Sequence, residues 1–314
     1  MQTINLGVSP LRCSRLAYGC WRVTGSWDPR DITSEAWAAG KRAIRAAYEA
    51  GYTLFDNADI YCAGEAERLL GEVLQEIPGM RDRVLIATKC GIRPPHTPYL
   101  SAPQRYDLSA QHILQSCEAS LQRLRTDTLD LLLLHRPDYL ADPEEVAEAF
   151  TRLQQSGKVR YFGLSNCRPT LVTALQCACP MPLVVHQIEI SLLHHEPLTD
   201  GTLDQCLVEH ITPQAWSPLA GGLLADGSSR LLRWQEHYKP EAVRKELDAL
   251  ALQYQTTRSV IALAWLLRHP TGIQPIVGST QPNRIRDAVR ATELELTHDE
   301  WYRLLIAARG EPLP

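Results

Sequence analysis

The chain has 314 residues, 45% of them hydrophobic and 22% charged, with a formal net charge of −4. So balanced a charge, without a long Lys/Arg run, argues against nucleic acid or an anionic membrane surface as partner, and no apolar stretch approaches the ~20 residues that span a bilayer. Nine scattered cysteines without a CxxC pair suit reduced thiols, and MQTINLGVSP lacks the basic segment and apolar run of a signal peptide, so a cytoplasmic protein is expected.

The first residues alternate, turn at Gly7–Pro10 and alternate again, which predicts a short hairpin ahead of the main fold. RLAYGCW (15–21) reads as the first main strand. Helical periodicity from Ser34 to Ala50 stops at Gly51, a C-terminal glycine signal. Strand TLFDNA (53–58), helix Glu65–Glu76 and strand VLIATKCG (84–91) follow, then a helix capped by Ser109 that runs to Leu124. TLDLLLLH (128–135) has few polar breaks, as expected of a strand covered on both faces. Asp142 opens a helix with Pro143 at its first position, where the missing N–H costs nothing, and that helix ends near Gly157.

Strand VRYFGLS (159–165) precedes a helix opened by Pro169, and VVHQIEI (184–190) precedes one near Thr202–His210. PQAWSPL (213–219) is followed by a connection rich in Gly, Ser and Trp, then by helical patterns over Ala242–Gln255 and Ser259–Arg268. Strand IQPIVG (273–278), a helix opened by Pro282 and a last helix Thr297–Ala308 with a capping box at THDE complete the series. Eight strand–helix units without a composition break predict an α/β fold, a (β/α)8 TIM barrel with an N-terminal β-hairpin and an extra C-terminal helix, as one domain over 1–314. The alternative, an open doubly wound sheet, lacks a GxGxxG after its first strand.

Four apolar runs end in polar groups: FDNADIY (55–61), IATKCG (86–91), LLLLHRPD (131–138) and FGLSN (162–166). A parallel barrel presents the C-terminal ends of its strands on one rim, so Asp56, Tyr61, Lys89 and His135 are expected to converge there. A phenol is a poor acid at neutral pH. A nearby ammonium lowers its pKa, and a carboxylate such as Asp56 would hold that ammonium in place. A neutral His135 would hydrogen-bond a substrate oxygen. Singly, these residues also read as a solvated carboxylate, a half-buried ring, a surface charge and a core histidine. Their shared position at strand ends favours a site. No metal is expected, because adjacent His194 and His195 come with no HxxxH or carboxylate pattern.

This set resembles the Asp–Tyr–Lys–His group of the aldo-keto reductases. The likeness continues through FGLSN, HQIEIS, AWSPLAGG and PIVGSTQPNR, almost the whole chain in order. The LHRPD form and the short tail after the last helix resemble a bacterial subgroup. The resemblance implies reduction of a small aldehyde or ketone by hydride transfer from NADPH, with NADH possible, and Tyr61 as general acid. It assigns Ser165, Asn166 and Gln187 to the nicotinamide carboxamide and Trp216 to stacking on the ring, where members more often carry Tyr or Phe. Ser217, Leu219 and Gly221 match the diphosphate stretch. Gly278, Ser279, Thr280 and Arg284 match the adenosine phosphate site, with Gly278 where many NADPH-dependent members have Lys, and Asp287 matches an adenine contact. Trp21, Trp27 and Trp234, with loops 92–106 and 222–240, are candidates for substrate contact. Two other functions fit parts of the pattern: a Schiff-base lyase on Lys89, and a cofactor-sensing subunit with little turnover.

Overall fold

The alternation at the N-terminus closes a hairpin, β1 (Thr3–Asn5) antiparallel to β2 (Arg12–Ser14). Its tip holds Gly7 at φ +53°, where a Cβ would lie 2.7 Å from the Val184 carbonyl oxygen. A side chain there would collide with backbone, so the tip seats directly on a barrel strand. The structure is a computed structural model and describes residues 1–227, 236 and 238–314.

The barrel begins with β3 (Ala17–Gly19), β4 (Leu54–Asp56) and β5 (Leu85–Cys90). A small antiparallel hairpin, β6 (Ile92–Arg93) and β7 (Arg105–Tyr106), interrupts the series. The sequence reading treats that stretch as plain connection, because two-residue strands leave no readable alternation. β8 (Leu129–Leu134), β9 (Val159–Ser165), β10 (Leu183–Glu189), β11 (Thr212–Trp216) and β12 (Gln274–Val277) complete it. All eight pair in parallel, and β12 returns to β3 through Ile276↔Ala17, so the barrel is closed.

The helices are α1 (Ser34–Glu49), α2 (Glu65–Glu76), α3 (Ala110–Leu124), α4 (Pro143–Gln155) and α5 (Pro169–Ala178). Then come α6 (Thr202–Val208), α7 (Pro240–Gln253), α8 (Arg258–Leu267), α9 (Pro282–Ala288) and α10 (His298–Arg309). Their starts follow local chemistry. Ser109 accepts from the His112 amide, Asp142 from Glu144, and Thr297 forms a reciprocal capping box with Glu300.

Two apolar layers result. One lies between strands and helices. The other fills the barrel floor, where Leu6 and Leu11 of the hairpin meet Leu54, Leu131, Leu133 and Val185. The hairpin therefore plugs the N-terminal end, and polar groups are left for the opposite end. Inside the barrel a run of glutamines links the two. Gln187 Nε2 donates to Gln214 Oε1 at 3.2 Å, Gln214 Nε2 to Gln274 Oε1 at 2.8 Å, and Gln274 Nε2 to the Ser14 carbonyl at 2.7 Å. Each buried amide is thereby paired, as a barrel interior requires.

Candidate active site

The register Asp56↔Ala87 between β4 and β5 puts Lys89 on the same face as Asp56, one step nearer the rim. Lys89 is fully buried. Its Nζ donates to Asp56 Oδ2 at 2.8 Å, to the Asn57 carbonyl at 2.7 Å and to the Tyr61 hydroxyl at 3.1 Å. Three ammonium protons meet three acceptors, which is what a buried lysine needs to stay charged. Burial is the largest influence on Lys89 and favours its neutral form, but Asp56 and Tyr61 hold its pKa above the ordinary lysine range.

Tyr61 does not end a strand. It opens a tight turn, Tyr61–Gly64, in which Cys62 and Ala63 take positive φ. The turn lays its ring 4.9 Å from Lys89 Nζ and edge-on to His135, centroids 5.9 Å apart. Lys89 draws the phenol pKa down, as the sequence predicts, but it does not act alone. Burial is the largest influence on Tyr61 and raises its pKa; Lys89 lowers it by charge and hydrogen bond; Asp56 and Cys20 raise it; the net direction is upward. His135 follows β8, with its amide bonded to the Cys90 carbonyl at 2.8 Å. Burial first, then the charges of Lys89 and Arg136, push its pKa well below the usual imidazole range. At neutral pH it is an uncharged ring, one nitrogen of which carries a proton for donation.

Asp56 is held from its other side by Gln187, whose Nε2 donates to Oδ1 at 2.9 Å. The amide nitrogen of Gln187 is thus spent on Asp56 and Gln214. Ser165 Oγ donates to the Gln187 carbonyl at 2.8 Å. Asn166, at φ +60°, donates to the His135 carbonyl at 3.3 Å and accepts from Trp216 Nε1 at 2.9 Å. Polar strand-end groups and a half-buried indole therefore sit beside the lysine cluster. Trp27 lies edge-on to Tyr61 with centroids 6.2 Å apart, and Trp21 lies 5.3 Å from Trp27. Both tryptophans are exposed.

The remaining candidates occupy two neighbouring loops. After β11, Ser217 has positive φ, Leu219 packs against the core, and Gly221 turns the chain at φ +65°. After β12, Gly278 is open, with nothing within 4 Å of an added Cβ. Ser279 gives its carbonyl to Tyr18, and Thr280 is half-buried. Arg284 joins the two loops, since its Nη2 donates to the Asp226 carbonyl at 3.0 Å. Asp287 accepts from Thr257 Oγ1 at 2.8 Å and from Arg290 at 3.1 Å, partners within the fold. Tyr238, from the 222–240 connection, is buried and packs with the core. Trp234 lies outside the described residues. Among the described residues no cluster of His, Cys, Asp or Glu suits a metal ion, and no helix is long and apolar enough to cross a membrane.

Sequence reasoning passed over three features of the site: the glutamine run beneath Asp56, Arg136, and Glu67. Buried Glu67 accepts from Thr88 Oγ1 at 2.5 Å and from Arg123 Nε at 2.6 Å, tying α2 and α3 to the strand that carries Lys89. The glutamines had a signal: polar residues at alternate positions of otherwise apolar strands. Arg136 had one too, standing inside the LHRPD motif.

The sequence profile described as "Aldo/keto reductase family" matches residues 15–308. The chain is 40% identical to "Uncharacterized oxidoreductase YcsN" of Bacillus subtilis, covering 100% of each chain. It is 39% identical to a "6-dehydroglucose reductase" of Novosphingobium aromaticivorans, covering 98% of this chain and 96% of the relative. Among solved structures, a thermostable aldo-keto reductase, Tm1743, in complex with the inhibitor epalrestat superposes with a TM-score of 0.82 at 26% identity, covering 98% of this chain and 100% of the other.

Proposed function

Because the chain belongs to the aldo/keto reductase family, whose members carry out NAD(P)H-dependent carbonyl reduction, we propose that it reduces small aldehydes or ketones with NADPH and that Tyr61 delivers the proton. The observation that carries this reading is the triple hydrogen bond of Lys89 to Asp56, the Asn57 carbonyl and the Tyr61 hydroxyl. Bound NADPH supplies the hydride. Neutral His135 donates a hydrogen bond to the carbonyl oxygen and orients it. Tyr61 gives its proton to that oxygen as the alcohol forms. Lys89 stabilises the phenolate left behind, and Asp56, held by Gln187, keeps Lys89 in place.

The chain's own residues fit such a cofactor. Trp216 offers a flat half-buried indole fixed through its N–H. Asn166 and Ser165, and Gln187 through its oxygen, would hold the carboxamide. Ser217, Leu219 and Gly221 would meet the diphosphate, and Gly278, Ser279, Thr280 and Arg284 the adenosine phosphate. Asp287 would reach adenine only by sharing its carboxylate with Thr257 and Arg290. We assign the reaction to one domain over 1–314. Nine unpaired cysteines, eight of them buried, suit a reducing compartment, and we place the enzyme in the cytoplasm.

The Schiff-base reading of Lys89 fares worse. A lysine nucleophile needs a depressed pKa, whereas Lys89 is held charged. The deciding experiment follows NADPH oxidation over a panel of aldehydes, ketones and sugars, including 6-dehydroglucose, which the relative's name points to. Turnover supports the reading. Tight NADPH binding without turnover on any member of the panel overturns it in favour of a sensing subunit.

Two variants test the cofactor assignments. Trp216→Ala should weaken NADPH binding by about 1 kcal/mol, the scale of an aromatic stacking contact. Indole fluorescence, quenched on titration of the wild type, should lose that component. Unchanged affinity and no quenching in the wild type would remove Trp216 from the cofactor site. Arg284→Ala should cost about 1.5 kcal/mol of NADPH affinity, the low end for a hydrogen bond to a charged group because Arg284 is exposed. NADH affinity should stay unchanged, since NADH has no 2′-phosphate. Equal losses for both cofactors would give Arg284 the structural role of tying the β11 loop to α9.

A further inference from the structure

Arg136 follows His135 directly in the chain and stands beside the proposed site. Its guanidinium lies 5.5 Å from the centroid of the Trp216 ring, and the residue is half-buried. Among the described residues that ring is its single partner, and no carboxylate or carbonyl takes its five donors. The acid nearest in sequence, Asp138, is spent on backbone, accepting from the Leu108 amide at 3.1 Å and from the Leu140 amide at 3.0 Å. The other cation of the site, Lys89, is neutralised by Asp56 at 2.8 Å. Among the described residues no carboxylate pairs with Arg136, whose guanidinium is a weakly hydrated, planar group suited to gripping a carboxylate with two parallel hydrogen bonds. An indole face under the guanidinium restricts its orientation and leaves the donor edges free.

We infer that Arg136 recognises a carboxylate on the substrate, so that the enzyme prefers carbonyl compounds bearing an acid group over their neutral counterparts. This rests on the carbonyl-reductase reading above and names the substrate class of that same site. The chemistry is anion recognition, for which the diphosphate of the cofactor is the competing source.

The test compares 4-oxobutanoate with its methyl ester, a pair that differs in charge and hardly in carbonyl chemistry. In the wild type, kcat/KM for the acid should exceed that for the ester by about tenfold or more, the scale of a charge-assisted hydrogen bond, and added salt should shrink the ratio. R136M should bring the ratio to about one by losing the acid alone, with NADPH affinity unchanged. R136K, which keeps the charge without the fork, should give an intermediate ratio. It also decides the matter, together with the salt series, if R136M does not fold. Equal use of acid and ester by the wild type, or a preference that survives in R136M, overturns the inference alone. A variant that loses NADPH affinity with the acid-to-ester ratio intact moves Arg136 to the cofactor and also overturns it. Turnover of neither probe while other members of the carbonyl panel are reduced overturns the inference alone, and turnover of no panel member overturns it together with the carbonyl-reductase reading.

Discussion

Tyr61→Phe is expected to lower the rate of carbonyl reduction by about 10²-fold or more, the scale of a lost general acid, with cofactor affinity unchanged. The substitution removes one oxygen from a ring otherwise held by edge contacts to Trp27 and His135. Phenylalanine keeps those contacts. Lys89 loses one of three acceptors but retains Asp56 and the Asn57 carbonyl, so the buried charge stays paired. Activity should therefore fall without a matching fall in stability. The checks are single-turnover reduction, NADPH titration and a thermal melt. Carbonyl reduction within a few-fold of wild type would take the acid role away from Tyr61.

Lys89→Met should be worse on two counts. It removes the cation that offsets burial at Tyr61, whose pKa already lies above its ordinary value. That pKa should rise further. Alcohol oxidation needs the phenolate, the form populated above the pKa, so the pH optimum for oxidation should move upward as the rate falls. The substitution also leaves Asp56, 3% exposed, as a buried carboxylate without its counter-ion. Removing one partner of a buried ion pair costs about 3–5 kcal/mol, which a denaturant titration reads directly. Asp56→Asn combined with Lys89→Met should recover much of the stability and none of the activity. An oxidation profile that stays where the wild type has it would separate Lys89 from Tyr61 and end the proposed relay.

Much of this site is legible in the chain because each strand leaves its mark twice. Its apolar run announces burial, and its first polar residue marks the rim. Asp56 and His135 are found that way, and Lys89 by its place near the end of VLIATKCG. Tyr61 closes the FDNADIY stretch that carries the family resemblance, although the turn that delivers it, with left-handed Cys62 and Ala63, is not readable. Such φ values belong to no preference of Cys or Ala and are imposed by the packing around them. The 92–106 stretch is obscure for a related reason: β6 and β7 are held by pairing, not by pattern.

The sequence by itself determined the order and type of the main elements, the closed eightfold repeat, and which residues stand at the strand ends. Periodicity and spacing are local properties, and a barrel converts them into position along one rim. The tertiary structure alone decided what those residues do to one another. It turned Gln187 inward to Asp56, linked it through Gln214 and Gln274 to the hairpin floor, and set burial against Lys89 at Tyr61 so that the phenol's pKa rises. It also left Arg136 over the Trp216 ring, with no carboxylate partner among the described residues. These outcomes depend on which side chains from distant strands come within about 3 Å, the reach of a hydrogen bond, and on how much water is excluded around them. Neither quantity is carried by the spacing of residues along the chain.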